Sequence, residues 1–192
     1  VTLREEQLKA REYLHQKGTL LGAAQIVERV KAAFTASESF LEAVGEEEAR
    51  ARPLAGEWTI LEVVDHLLET HRPSLDELRD LLDGRRPAGG PIAASLQSAD
   101  PMARPLADRL RELKAVHTEV LAVLGAATDR MTQARAPIIM VINARELDGR
   151  EAPLSWIEEL DWKAYAVTAF RLHEIDHLNH AKKTLKAARA PR

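Results

Sequence analysis

The chain of 192 residues has no cysteine and is poor in aromatic residues, with three Trp, two Tyr and three Phe. Without cysteine there is no disulfide framework, zinc ribbon, Fe–S cluster or thiol nucleophile, so any metal must be held by His, Asp or Glu. A basic excess is also lacking: 27 Lys and Arg face 30 Asp and Glu, a formal net charge of −3. A protein that tracks phosphates needs the opposite balance, and no nucleic-acid partner is expected. No apolar run approaches the roughly 20 residues of a membrane span. The opening Val1-Thr2-Leu3-Arg4-Glu5-Glu6 lacks the basic-then-apolar order of a signal peptide. No membrane partner is expected, and the expected compartment is the cytoplasm.

Alanine and leucine are abundant while β-branched residues are thin, which favours helix over strand and points to an all-α helical bundle. The length suits one domain with a substantial core. Thr2-x-x-Glu5 is a capping-box pattern opening an N-terminal helical arm over residues 1–18. Ile26, Val30, Phe34, Leu41 and Val44 recur near the helical period in a first bundle helix from about Leu20 to Val44. Thr59-x-x-Glu62 caps a second, from Ile60 to Leu82, with a bend expected near Pro73. Residues 84–105 are rich in Gly and Pro and long for a plain connection, which makes them a candidate lid. A third helix follows over residues 106–124.

The run Pro137 to Ile142 is the one β-leaning stretch, and Asp148-Gly149 beyond it signals a turn, so a short hairpin is expected before the last helix. Ser155-x-x-Glu158 repeats the capping-box pattern and is read as opening that helix, which continues to about Ala188 with a break near Asp161. The bundle proper spans 19–188, leaving 189–192 as a tail.

Five of the seven histidines fall in two groups: His66 and His71 on the second bundle helix, and His173, His177 and His180 on the last. At 100° per residue the last three share one stripe, continued upstream by Ala169, Ala166 and Trp162. An i, i+4 pair such as His173 and His177 presents two imidazoles to a single ion, although the same spacing also arises by chance on a polar helix surface. His173-Glu174-Ile175-Asp176-His177 is also an H-E-x-x-H string. A zinc-peptidase reading is disfavoured because only 15 residues follow His177, and the extended H-E-x-x-H-x-x-G-x-x-H form fails, with His180 and Lys183 in its Gly and His places.

Gly56-Glu57-Trp58-Thr59-Ile60-Leu61-Glu62-Val63-Val64-Asp65-His66-Leu67, followed about a hundred residues later by His173-Glu174-Ile175-Asp176-His177, resembles the DinB-like family of bacterial proteins. The resemblance extends from about Thr19 to Ala188. It implies a four-helix bundle that forms a homodimer, with a three-histidine metal site that maps by position onto His66, His173 and His177. On an ideal wheel His66 lies at the edge of its helix's apolar arc, a position suited to a cleft. His71 and His180 are read as polar neighbours, and Trp58 as a packing residue.

Three neutral imidazoles leave a divalent ion its charge and an open position; Zn²⁺ suits them best and Ni²⁺ is compatible. Family members with known activity include thiol-dependent S-transferases and isomerases. The resemblance therefore implies a metal-dependent transferase, or a related hydrolase, that activates a low-molecular-weight thiol cosubstrate for attack on a small electrophile. Glu174 and Asp176 are candidates for orienting a ligating imidazole or moving a proton, against the plainer reading of both as solvated helix charges. The alternative function is a non-catalytic metal-binding bundle acting in stress response or through a protein partner.

Overall fold

A computed structural model describes residues 3–145 and 151–190. In chain order the elements are α1 (Leu3–Leu14), a π-helical turn (His15–Thr19), α2 (Ala23–Glu42), α3 (Glu46–Arg50), α4 (Ile60–Leu82), α5 (Leu106–Ala126), β1 (Ala136–Arg145), β2 (Glu151–Leu160), α6 (Trp162–Ala166), a second π-helical segment (Val167–Leu172) and α7 (His173–Ala188). Helices α2, α4, α5 and α7 form the bundle. Around the ring α2 packs on α5, α5 on α4, α4 on α7 and α7 on α2.

The capping box expected at Thr59 is formed: its hydroxyl accepts from the Glu62 amide at 3.1 Å, and the Glu62 carboxylate accepts from the Thr59 amide at 2.6 Å. This satisfies two of the amide groups a helix start leaves without partners. Helix α4 then runs on through Pro73 to Leu82.

Two apolar clusters fill the bundle. One gathers Val30 and Phe34 of α2, Leu75 and Leu78 of α4, Val120 and Leu124 of α5, and Trp162, Tyr165 and Phe170. The other gathers Leu41, Leu67, Leu68, Leu113, Ala181 and Leu185. Burying each large side chain contributes about 1.5–3 kcal/mol. Between the clusters lies a polar layer. Along each bundle helix in turn, Glu38 falls between Phe34 and Leu41, His71 between Leu68 and Leu75, His117 between Leu113 and Val120, and His173 to His177 between Phe170 and Ala181.

The hairpin exists and is longer than expected, with antiparallel pairing from Ala136↔Leu160 to Arg145↔Glu151; the Asp148-Gly149 turn and the Thr2 cap lie outside the described residues. The reading of Ser155-x-x-Glu158 as a helix start is corrected, because these residues belong to β2. Leu154, Trp156, Glu158 and Leu160 are buried or half-buried while Ser155, Ile157 and Glu159 between them are exposed, a period of two that pairing with β1 rewards and a helix would scatter. The actual cap is Asp161, whose carboxylate accepts from the Lys163 and Ala164 amides, both at 3.0 Å.

The N-terminal segment docks on the bundle. Leu14 is buried in the first cluster, and Gly18 lies so close to α6 that a Cβ there would come within 2.8 Å of the Ala164 Cα. Among the described residues, no helix is long and apolar enough to cross a membrane.

Candidate metal centre

The fold brings His66 of α4 together with His173 and His177 of α7, so that one ring nitrogen from each lies within 4.8 Å of the others. His66 Nε2 and His173 Nε2 are 3.0 Å apart. The residue after His173 turns by about 100° on the helix and points elsewhere, while His177, one turn on, returns to the same face.

The 84–105 connection completes this site. The Leu96 carbonyl lies 2.7 Å from His66 Nδ1. A carbonyl only accepts, so Nδ1 carries the proton and Nε2 presents its lone pair towards His173. Leu96 is held in place by its neighbours: the Gln97 side-chain amide donates to the Glu62 carbonyl at 3.0 Å and the Ser98 amide to Asp65 at 2.8 Å. Asp65 is itself buried against the Arg109 guanidinium, which also donates to the Asp100 carbonyl at 3.1 Å. The candidate lid is thus anchored to α4 and α5.

His66 is only 1% exposed, deeper than the edge position on an ideal wheel implied. Burial lowers the pKa of all three imidazoles, with the other histidines adding to the effect on His173 and His177; His177 falls to about 3. All three rings are therefore neutral at pH 6.5, and those of His173 and His177 stay so well below it, with lone pairs free for a cation. His177 Nδ1 is buried without a hydrogen-bond partner.

A cleft of about 520 Å³ opens on the three rings. One wall is apolar, from Pro137 to Ile142 of β1 and Ile92 to Ala94 of the long connection; Thr70, Ser74, Glu77, Tyr165 and Asp176 supply polar groups. Tyr165 donates to the Glu77 carboxylate at 2.5 Å, and burial raises the pKa of Glu77.

Trp58 does more than pack at the helix start. Its ring stacks on His177 at 5.9 Å between centroids, and on His180 at 6.4 Å, and tilts over His66 at 4.9 Å. His180 faces Glu57 at 3.6 Å. Asp176 is exposed at the cleft, as a solvated charge would be. Trp162 is 1% exposed and fills the core, its indole donating to the Arg130 carbonyl at 3.1 Å. It falls off the expected stripe because the π-helical segment intervenes and breaks the 100° register.

Glu174 is the larger departure. It is fully buried (0% exposed), not a solvated charge, and it faces away from the three histidines towards His71 and His117, 3.7 and 3.6 Å from their Nε2 atoms. His117 stacks on Phe34 with centroids 3.6 Å apart, and its Nδ1 lies 2.7 Å from a Glu38 carboxylate oxygen. Burial pulls the His117 pKa down, but Glu174 and Glu38 more than offset it and the net direction is up. His71 is held well below its ordinary value, first by burial and then by the histidines around it. His117 stands outside both histidine groups of the sequence; its place at the helical period among Leu113, Val120 and Leu124 was the available sign that it points inward.

No curated protein matches the sequence. Among solved structures the chain is similar to YfiT from Bacillus subtilis, with 18% identity and a TM-score of 0.60 over 86% of this chain and 87% of that one. YfiT is described as "a probable metal-dependent hydrolase with an unusual four-helix bundle topology". A family profile, that of the DinB superfamily, matches residues 29–181. With most of its length matched and the bundle in place, the chain belongs to the DinB superfamily.

Proposed function

We propose that this protein is a metal-dependent enzyme in which His66, His173 and His177 hold a divalent ion, Zn²⁺ in the first instance, and that it activates a small nucleophile for attack on an electrophile in the cleft. The observation that carries the reading is a trio of neutral, converging imidazoles at the base of an open cleft. Their donor set fits such an ion, and the partnerless His177 Nδ1 fits it too. The ion would supply Lewis acidity, lowering the pKa of a coordinated water or thiol towards neutrality.

The remaining work falls to the chain. The Leu96 carbonyl orients His66 and fixes its tautomer. Trp58 shields the rings from solvent on one side. The apolar β1 wall receives the non-reacting part of a substrate. Glu77, on the cleft wall with a raised pKa, is the group best placed to hold or return a proton. Since the chain has no cysteine, sulfur chemistry requires a low-molecular-weight thiol as cosubstrate. YfiT's description supports a hydrolytic version of the same chemistry.

The test is elemental analysis of the purified protein beside His66→Gln and His177→Gln variants, with assays of thiol conjugation and ester or amide hydrolysis on the loaded protein. Metal content falling in both variants, together with either activity, supports the reading. Unchanged metal content removes it, and loaded protein inert in every assay favours the non-catalytic bundle.

A further inference from the structure

We propose that His71, His117 and Glu174 form a second divalent-metal site, closed to solvent and separate from the cleft. The proposal goes beyond the function above and does not rest on it.

Its first support is an unmet need. Both Glu174 carboxylate oxygens and His117 Nε2 are buried without a hydrogen-bond partner, and the buried His71 ring has only the Ala169 backbone to offer it one. His71 and Glu174 are 0% exposed and His117 is 1% exposed. Such groups are paired or ligated in native proteins because the cost of leaving them bare is several kcal/mol.

The second support is the spacing. Glu174 Oε2 lies 3.7 Å from His71 Nε2 and 3.6 Å from His117 Nε2, and the three donor atoms fall within 4.8 Å of one another. These separations are too long for hydrogen bonds. They are close to the edge of a tetrahedron around an ion with bonds of about 2.05 Å, which is about 1.63 times that length, or roughly 3.3 Å.

The third is orientation. His117 Nδ1 faces the Glu38 carboxylate at 2.7 Å. A carboxylate behind the far nitrogen of an imidazole is the usual support of a ligating histidine, and it leaves Nε2 with a lone pair aimed at the cluster. A protonated His117 paired with Glu174 is the rival arrangement; it leaves the 3.6 Å gap unclosed and Glu174 Oε1 without a partner.

Glu38, His71, His117 and Glu174 come one each from α2, α4, α5 and α7. A cation there ties all four bundle helices together in the polar layer between the apolar clusters. The enclosed position gives no room for substrate, so the ion is structural.

The experiment is zinc stoichiometry by plasma mass spectrometry after loading with Zn²⁺ and gel filtration. The proteins are wild type, the cleft variant His66→Gln/His177→Gln, and the inner variants Glu174→Gln and His117→Gln, with circular dichroism as the folding control. The expected result is two zinc per wild-type chain, one in the cleft variant that EDTA removes slowly, and one in each folded inner variant. One zinc per wild-type chain that the cleft variant loses, or inner variants that keep the full wild-type content, overturns the proposal. If the inner variants do not fold, the wild-type and cleft-variant counts still decide it. One zinc per wild-type chain that the cleft variant retains and Glu174→Gln loses would refute the cleft site and leave this one standing.

Discussion

Asp65→Asn should separate the stability of the bundle from the order of its metal centre. Asp65 is fully buried and paired with Arg109, whose side chain is 4% exposed, and it also accepts the Ser98 amide at 2.8 Å. The substitution is nearly isosteric and keeps an acceptor for Ser98, but leaves the guanidinium buried without a counter-charge. Removing one member of a buried pair costs about 3–5 kcal/mol. The retained amide oxygen offsets about 1 kcal/mol of this, leaving about 2–4 kcal/mol. At roughly 2–4 °C per kcal/mol for a domain of this size, the melting temperature of metal-free protein should fall by about 4–16 °C. The Leu96 carbonyl is held two residues from Ser98, so its grip on His66 should loosen as well. Loss of such a supporting hydrogen bond weakens metal affinity by about 10–100-fold. Calorimetry of the metal-free protein and zinc titration of the folded variant read the two effects. A destabilisation below about 1 kcal/mol would refute the role given to the ion pair, and unchanged zinc affinity would refute the link from Asp65 through the loop to His66.

Two further outcomes follow from groups described above. The imidazoles of His66, His173 and His177 are depressed in the folded protein, His177 to about 3, whereas in the unfolded chain they titrate near the ordinary value of about 6.5. The unfolded chain therefore binds more protons between those values, and metal-free protein should keep this stabilisation above about pH 6.5 and lose it as pH falls towards 3; urea denaturation at pH 7.5 and 4.5 that showed equal or greater stability at the lower pH would contradict it. Gly18→Ala should cost about 1–3 kcal/mol, since its Cβ would meet the Ala164 backbone at 2.8 Å, and an unchanged urea midpoint would show that the α1 segment does not dock as described.

What the sequence disclosed was local or periodic. Thr59 and Glu62 advertise their cap because both partners lie within four residues. His173 and His177 declare a shared face because one helix fixes their relation. His66 was linked to them by order and separation in a family pattern, since no helical wheel says which neighbour a face will meet. Glu174 looked like a solvated charge for the same reason: its surroundings come from α4 and α5, a hundred and about sixty residues away. Ser155 and Glu158 imitated a helix start because the pattern is only four residues long, and the ten-residue partner strand that overrules it lies elsewhere in the chain. The widened turn at Val167–Leu172 carried no sequence signal that we recognise.

That turn has a consequence for how the chain can be altered. A π-helical turn accommodates an additional residue without breaking the rod, so it sets the angular phase between Trp162 and Tyr165 above it and the imidazoles below. Deleting one residue from Val167–Leu172 would reset that phase by about 100°. Either the anchors would leave the core or both polar clusters would turn away from their partners together. The segment works as a vernier, and its length is as much a part of the site as any ligand.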